Sequence, residues 1–344
     1  MRFFKKISVM IGVILLLLFA ILGYFTLRKY RPDTQVVVAE NRVKPISLDT
    51  ITCMSWNIGY CGLSDDMDFF YDGGEKVRTS EEKTKENLDF IKDQLAHAKD
   101  VQFFLLQEVD TGSKRSYYID QFDHLSDVLA SYQAYFSTNY HVDFVPVPVT
   151  DPLGKVRGGL ATFSKLIPKR VVRYAYPSRY SWPVNLFMLN RCFMVSEVIL
   201  KNEKKLFVIN THNSAYDDGS MKRKEMSFLK KFLNAEYKKG NYLIVGGDWN
   251  QFPPGIEKYS ERFDLSKTSI IERGFMPSDW KWVADYETAT NRALDAPLNE
   301  KTRKALIDFY LISPNVEVLD VQTHNQEFRH SDHHPVFARF RLVH

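Results

Sequence analysis

From Asp49 onward the sequence consists of short apolar runs that end abruptly in polar residues, several of them following one another without a helix-length segment between. "TITCMSWNI", "VQFFLLQEV", "GGLATFSK", "FMVSEVIL", "KLFVINTHN", "NYLIVGGDWN", "KALIDFYLIS" and "PVFARFRL" read as buried strands. Adjacent strands with no helix between them exclude a simple alternation of strand and helix. Two packed sheets with helices on the outside fit the pattern better, an α/β architecture. The 344 residues, 44% hydrophobic and 14% aromatic, are ample for the core that such a fold needs.

Helical stretches are few. Thr79-Ser80-Glu81-Glu82 offers a capping box, followed by Leu88, Ile91, Leu95 and Ala98 at helical spacing. Residues 120–131 are also expected to be helical. Met226, Leu229, Phe232 and Leu233 mark one face of a helix over residues 221–238, which Gly240 closes. Two irregular stretches, residues 139–157 with three prolines and residues 174–190 ("YAYPSRYSWPVNLFMLN"), are long enough to be functional loops or plain surface insertions.

The amino terminus is a separate unit. A short basic segment, residues 1–6, precedes residues 7–27, which carry no charge. Twenty-one helical residues span about 31 Å at ~1.5 Å each, enough for a hydrocarbon core of ~30 Å. A cleaved signal peptide is the competing reading, but its apolar region is ordinarily ~7–15 residues and ends in a small-x-small site that is not clear around Ala20 to Gly23. Residues 7–27 are therefore read as a single-pass membrane anchor and residues 28–48 as a linker. The domain would span residues 49–344. Basic residues flank both ends of the anchor, so the positive-inside count barely discriminates. The short basic terminus favours an extracytoplasmic domain. Three cysteines show no metal spacing, and a net charge of +4 is too weak to argue for nucleic acid.

Chemistry-bearing residues stand where strands run out. Asn57, Glu108, His212 with Asn213, Asp248 with Asn250, and Asp332 with His333 adjoin strands, and Asp308 lies inside "ALIDFYL". An Asp after a strand is ordinarily a turn residue or helix cap. Six such positions are harder to dismiss, since strand ends of a sandwich lie together at one edge. Carboxylates and carboxamides without cysteine suit a hard divalent cation. An imidazole held by a carboxylate is a general base near neutral pH.

The ordered set "WNI", "LLQEVD", "NTHNSAYD", "GGDWNQFP", "LIDFYLIS" and "SDHHPV" resembles the endonuclease/exonuclease/phosphatase superfamily over roughly residues 50–342. That superfamily includes deoxyribonuclease I and the neutral sphingomyelinases. The resemblance implies a four-layer α/β/β/α sandwich and metal-dependent phosphoester hydrolysis. Carried over by position, Glu108 would be the principal Mg2+ ligand, with Asn57 beside it and Asp332 on the metal side. Mn2+ or Ca2+ are the alternatives. His333 would be the base, polarised by Asp308. Asp248 would orient the attacking water or the leaving group. Asn250 would donate to a phosphoryl oxygen, and His212 would contact the phosphate, with a role as proton donor open to it. Asn213, Arg157 and Trp282 are assigned to the substrate side. His330 and His334 gain no role. Asn57-Ile58-Gly59 lacks the acidic residue that follows the asparagine in abasic endonucleases, and His212 replaces their tyrosine-based arrangement, so abasic-site repair is disfavoured.

The expected function is a membrane-tethered phosphodiesterase acting on nucleic acid or a lipid headgroup, with no obligate protein partner. The alternatives are an inositol-phosphate phosphomonoesterase and a non-catalytic binding domain displayed on the membrane. Lys222, Arg223, Lys224, Lys230 and Lys231 are read as the solvated face of their helix. Tyr176, Tyr180, Trp182, Phe187, Trp280 and Trp282 could rest on a bilayer or pack on the core.

Overall fold

The structure, a computed structural model, describes residues 2–343; Met1 and His344, the outer ends of the expected basic terminus and domain, lie outside the described residues. In chain order the elements begin with α1 (Arg2–Arg28), β1 (Gln35–Glu40), β2 (Thr50–Asn57), α2 (Glu81–His97) and β3 (Phe103–Asp110). They continue with α3 (Gln121–Val128), β4 (Gln133–Val145), β5 (Gly154–Ser164), β6 (Arg170–Ala175), β7 (Cys192–Ile199) and β8 (Lys205–His212). Then come α4 (Ser220–Tyr237), β9 (Tyr242–Asp248), β10 (Lys281–Val283), β11 (Asn291–Arg292) and β12 (Lys304–Ala305). The series ends with β13 (Asp308–Ile312), β14 (Val316–Thr323) and β15 (Val336–Leu342).

Two mixed sheets result. One has seven strands in the order β1-β6-β7-β8-β9-β13-β10, the other six in the order β14-β15-β2-β3-β5-β4. The period of two in each strand builds the layers. In β3, Phe103 and Leu105 turn toward the other sheet and meet Val208, Ile244 and Tyr310. Phe104 and Leu106 turn outward, onto Leu88, Ile91 and Leu95 of α2 and Leu125 of α3. On the far side, Met226, Leu229 and Leu233 of α4 cover Phe207, Ile209 and Val245. The four layers are thus α4, the seven-stranded sheet, the six-stranded sheet, and α2 with α3. This is the expected sandwich.

Local differences have local causes. The Ser80 hydroxyl accepts from Lys83 N at 3.1 Å, so it caps α2, but Lys83 occupies the third helical position and the reciprocal half of a capping box is missing. Glu81 and Glu82 still set negative charge at the helix start. Residues 28–48, expected as a linker, are partly built into the fold. β1 pairs antiparallel with β6, and Ile46 bridges to Leu200. Without β1, β6 would present an open edge, and the β-branched run Val36–Val38 suits pairing there. α1 buries no residue in the domain and is long and apolar enough to cross a membrane, a property that a signal sequence shares.

Candidate active site

The strand registers bring the polar ends together. β8 and β9 run parallel and end side by side, His212 opposite Asp248; β13 runs antiparallel to β9 and starts with Asp308 opposite Asp248. In the other sheet β2 and β3 run parallel, with Asn57 opposite Gln107, and β15 follows antiparallel just after His333. All six ends therefore reach one lip of the sandwich. They open into a cavity of about 480 Å3 lined by Glu108, His212, Asp248, Asn250, Asp332 and His333.

Glu108 reaches that cavity through a local irregularity. The β3–β5 register shifts between Leu106 and Val109, and Glu108 takes a left-handed backbone with φ 54°. Such a bulge re-aims one side chain without ending the strand. Gln107 turns inward instead and donates to Asn210 at 2.8 Å, and Asn210 donates on to the Leu106 and Ala161 carbonyls. This buried polar network clamps the bulge between the sheets.

His333 Nδ1 lies 2.7 Å from Asp308 Oδ2, and its Nε2 faces the cavity, 3.9 Å from Asp248 and 3.8 Å from Asp332. Burial alone would lower the His333 pKa, but Asp308, Asp332 and Asp248 overrule it and hold it well above the imidazole range. Burial pushes Asp332 up to about 7, with Glu108 adding to the rise. Asp248 is pushed up to about 6 by burial and by Asp308.

Asn57, expected beside the metal, is set with its amide nitrogen toward the acids. Its amide nitrogen donates to Asp248 at 3.0 Å and stands 3.4 Å from Glu108, while its oxygen accepts from Gly59 N. It braces the two acids as a donor, and ligation through oxygen would require that amide to rotate. His212 Nε2 lies 3.3 Å from Asp248 Oδ2. Burial, then Arg191, His333 and Arg115, hold its pKa well below the ordinary value, which favours the neutral ring. Asn250 N donates to Asp248 at 2.9 Å, and one of its side-chain hydrogens is spent on the Asn213 carbonyl.

The three residues expected on the substrate side lie elsewhere. Asn213 is fully buried, its side chain bonded to Thr211 and Tyr176. Arg157 pairs with Asp143 at 2.8 Å, away from the cavity. Trp282 packs on Trp249, Phe275 and Phe309 behind the seven-stranded sheet. Each is polar or aromatic in a suggestive stretch, and neighbouring side chains claim it first.

Other cavity residues are not marked by the motifs. Asn291 Nδ2 stands 3.0 Å from His333 Nε2. Lys222 is buried against the cavity, donating to the Ala215 carbonyl at 3.1 Å, although Arg223, Lys224 and Lys231 are solvated as expected. Arg191 is buried on the cavity wall with Nη1 unpaired. One signal pointed to Arg191: it immediately precedes β7, whose start lies against the end of β8, with Cys192 opposite His212.

The site fits a hard cation. Asp332 Oδ1 is buried without a partner, and Glu108 and Asp332 are mutually repulsive acids in one pocket. A second cluster, Asp248, Asp308 and His333, has ligand atoms within 4.8 Å of one another, but the short Asp308–His333 hydrogen bond there suits a proton better than a metal.

Residues 54–333 match the model of the Endonuclease/Exonuclease/phosphatase family. The chain belongs to that family. Its class is accordingly that of the phosphoester hydrolases. No curated protein sequence is significantly similar to the chain. Solved structures with the endonuclease/exonuclease/phosphatase fold superpose well at low identity. A Beutenbergia cavernae endonuclease/exonuclease/phosphatase has TM-score 0.59 and 17% identity, over 86% of this chain and 72% of its own. ANGEL2, a 2',3'-cyclic phosphatase crystallised with adenosine-2',3'-vanadate, has TM-score 0.53 and 16% identity, over 86% and 96%. The human Nocturnin catalytic domain with bound sulfate has TM-score 0.53 and 17% identity, over 91% and 99%.

Proposed function

We propose that this family member is a metal-dependent phosphodiesterase, held at a membrane by α1 with its domain on the extracytoplasmic side. The observation that carries the reading is one cavity lined by His333, which the buried Asp308 holds at 2.7 Å, and by the acids Glu108 and Asp332, of which Asp332 Oδ1 has no partner. Asp308 fixes the His333 tautomer, so that Nε2 accepts the proton of a water attacking phosphorus and Asp308 stabilises the imidazolium that forms. Asp248, braced by Asn57, orients the water. The neutral His212 and the Asn250 amide donate to phosphoryl oxygens as their charge grows. A divalent cation such as Mg2+, which Glu108 and Asp332 would hold, polarises the phosphoryl oxygen when bound. Of the acids that raise the His333 pKa, Asp332 would have its charge offset at such a site, while Asp308 remains to support the imidazolium.

Hydrolysis of bis(p-nitrophenyl) phosphate by the full chain tests this reading. EDTA is expected to abolish turnover, Glu108→Ala to mimic EDTA, and His333→Ala to cut kcat by ~10²–10⁴ with folding intact. Undiminished turnover in EDTA would remove the metal from the reaction. Membrane placement is tested on intact cells: an externally added protease should digest the domain, and the isolated protein should retain residues 7–27. A mature chain beginning after them would make α1 a signal sequence.

A further inference from the structure

Two segments that flank the end of α1 carry exposed apolar side chains. At the end of β4 and on the hairpin beyond it these are Phe144, Val147 and Val149, the last 87% exposed; on the segment between β6 and β7 they are Trp182, 54% exposed, and Val184. The end of β4 and the segment between β6 and β7 touch the end of α1 and the residues just after it. Trp182 Nε1 donates to Thr26 Oγ1 at 3.2 Å, and Phe187 packs edge-on against Phe25. Asp143, beside Phe144, pairs with Arg28 at 3.4 Å, and His141 stacks on Tyr30. Whatever touches Phe25 and Thr26 lies within about one helical turn, ~5.4 Å, of the helix end, which is headgroup depth if α1 spans. Tryptophan is favoured at that depth.

The same two segments form a wall of the catalytic cavity. Tyr140, Leu153, Met188, Leu189 and Arg191 line it, Tyr140 OH donates to the Phe187 carbonyl at 2.9 Å, and Asn190 N donates to the Asn139 carbonyl. Lys29 lies within electrostatic reach of Arg31 and Arg179 at the helix exit, cations suited to headgroup phosphates. The exposed side chains of this rim, Phe144, Val147, Val149, Trp182 and Val184, carry no charge, whereas a polynucleotide is tracked by a basic groove.

We propose that this rim, Phe144 to Val149 with Trp182 and Val184, rests on the bilayer that α1 crosses, so that the cavity opens along the lipid surface and takes the phosphodiester of a phospholipid headgroup. The proposal rests on the hydrolase reading only for its substrate; the rim itself is tested without catalysis. The full chain is placed in nanodiscs of brominated phosphatidylcholine. Bromine should quench the intrinsic fluorescence, and Trp182→Phe should remove most of that quenching, since Trp56 and Trp249 are fully buried, Trp280 is nearly so and Trp282 is packed in the domain. In nanodiscs doped with sphingomyelin and phosphatidylinositol, the Val149→Asp/Val184→Asp variant should hydrolyse lipid at least tenfold more slowly than wild type. It should cleave bis(p-nitrophenyl) phosphate at the wild-type rate. Absent quenching, or unaffected lipid hydrolysis, overturns the proposal, as does preference for plasmid DNA over every lipid. Quenching retained with neither substrate cleaved sinks the hydrolase reading and supports the rim.

Discussion

His334 stands one residue from the base and has a different task. Its Nδ1 donates to the Ala289 carbonyl at 2.8 Å, its Nε2 accepts from Phe328 N at 3.2 Å, and its ring stacks on Phe328. Accepting through Nε2 requires the neutral ring, and burial pushes its pKa down to about 4. Because the folded value lies below the unfolded one, the unfolded chain binds more protons between them. The stability that His334 contributes is therefore full above pH ~6.5 and lost as pH falls toward 4, about 3 kcal/mol at most. Chemical denaturation at stepped pH should show this loss, and His334→Gln should flatten it. Asp308→Asn is the complementary test at the neighbouring ring. An amide in place of the carboxylate cannot stabilise the imidazolium, so kcat should fall by ~10²–10⁴ with KM little changed. Adjacent histidines in "SDHHPV" thus divide between chemistry and structure, and only their partners tell them apart.

Among the elements, β9 shows how tightly the site is supported. Gly247 has φ 153°, and a Cβ there would lie 2.0 Å from the Thr211 carbonyl oxygen of β8. No rotamer relieves a clash with backbone, so β8 and β9 would have to separate immediately before His212 and Asp248. Gly247→Ala is expected to cost at least ~2–3 kcal/mol and to depress activity beyond what lost stability explains. Thermal unfolding and kcat of the surviving folded fraction check both parts. The helices and most strands were readable from periodicity, because burying one face leaves a period in the chain. The bulge at Glu108 left no such trace. It depends on Gln107 finding Asn210 in the opposite sheet, a contact 103 positions away. The edge strand β1 was hidden for a similar reason: Val36–Val38 is too short a run to declare itself, and the open side of β6 recruits it.

For the molecule as a whole, the balance of charge at the lip predicts a ligand-linked stability. Glu108 and Asp332 repel each other in the folded state and are apart in the unfolded one. A cation that binds only the folded chain at a hundred times its Kd adds ~2.7 kcal/mol. Added Mg2+ should therefore raise the Tm of the wild type by several degrees, and Glu108→Ala should abolish the rise; differential scanning calorimetry measures it independently of turnover. An unshifted wild-type Tm at millimolar Mg2+ would speak against a cation at these acids.

By itself the sequence determined the class of fold, the strand ends that carry chemistry and the ordered motifs of the family, because each is written in neighbouring residues as periodicity or as a polar stop. It could not say what those residues touch. Tertiary structure alone decided that Asn57 braces acids, that His212 is buried beside Asp248, that Arg157, Asn213 and Trp282 are claimed by other partners, and that Arg191, Lys222 and Asn291 line the cavity. The physical reason is that protonation state, amide direction and access depend on burial and on charges that meet only when distant strands are paired.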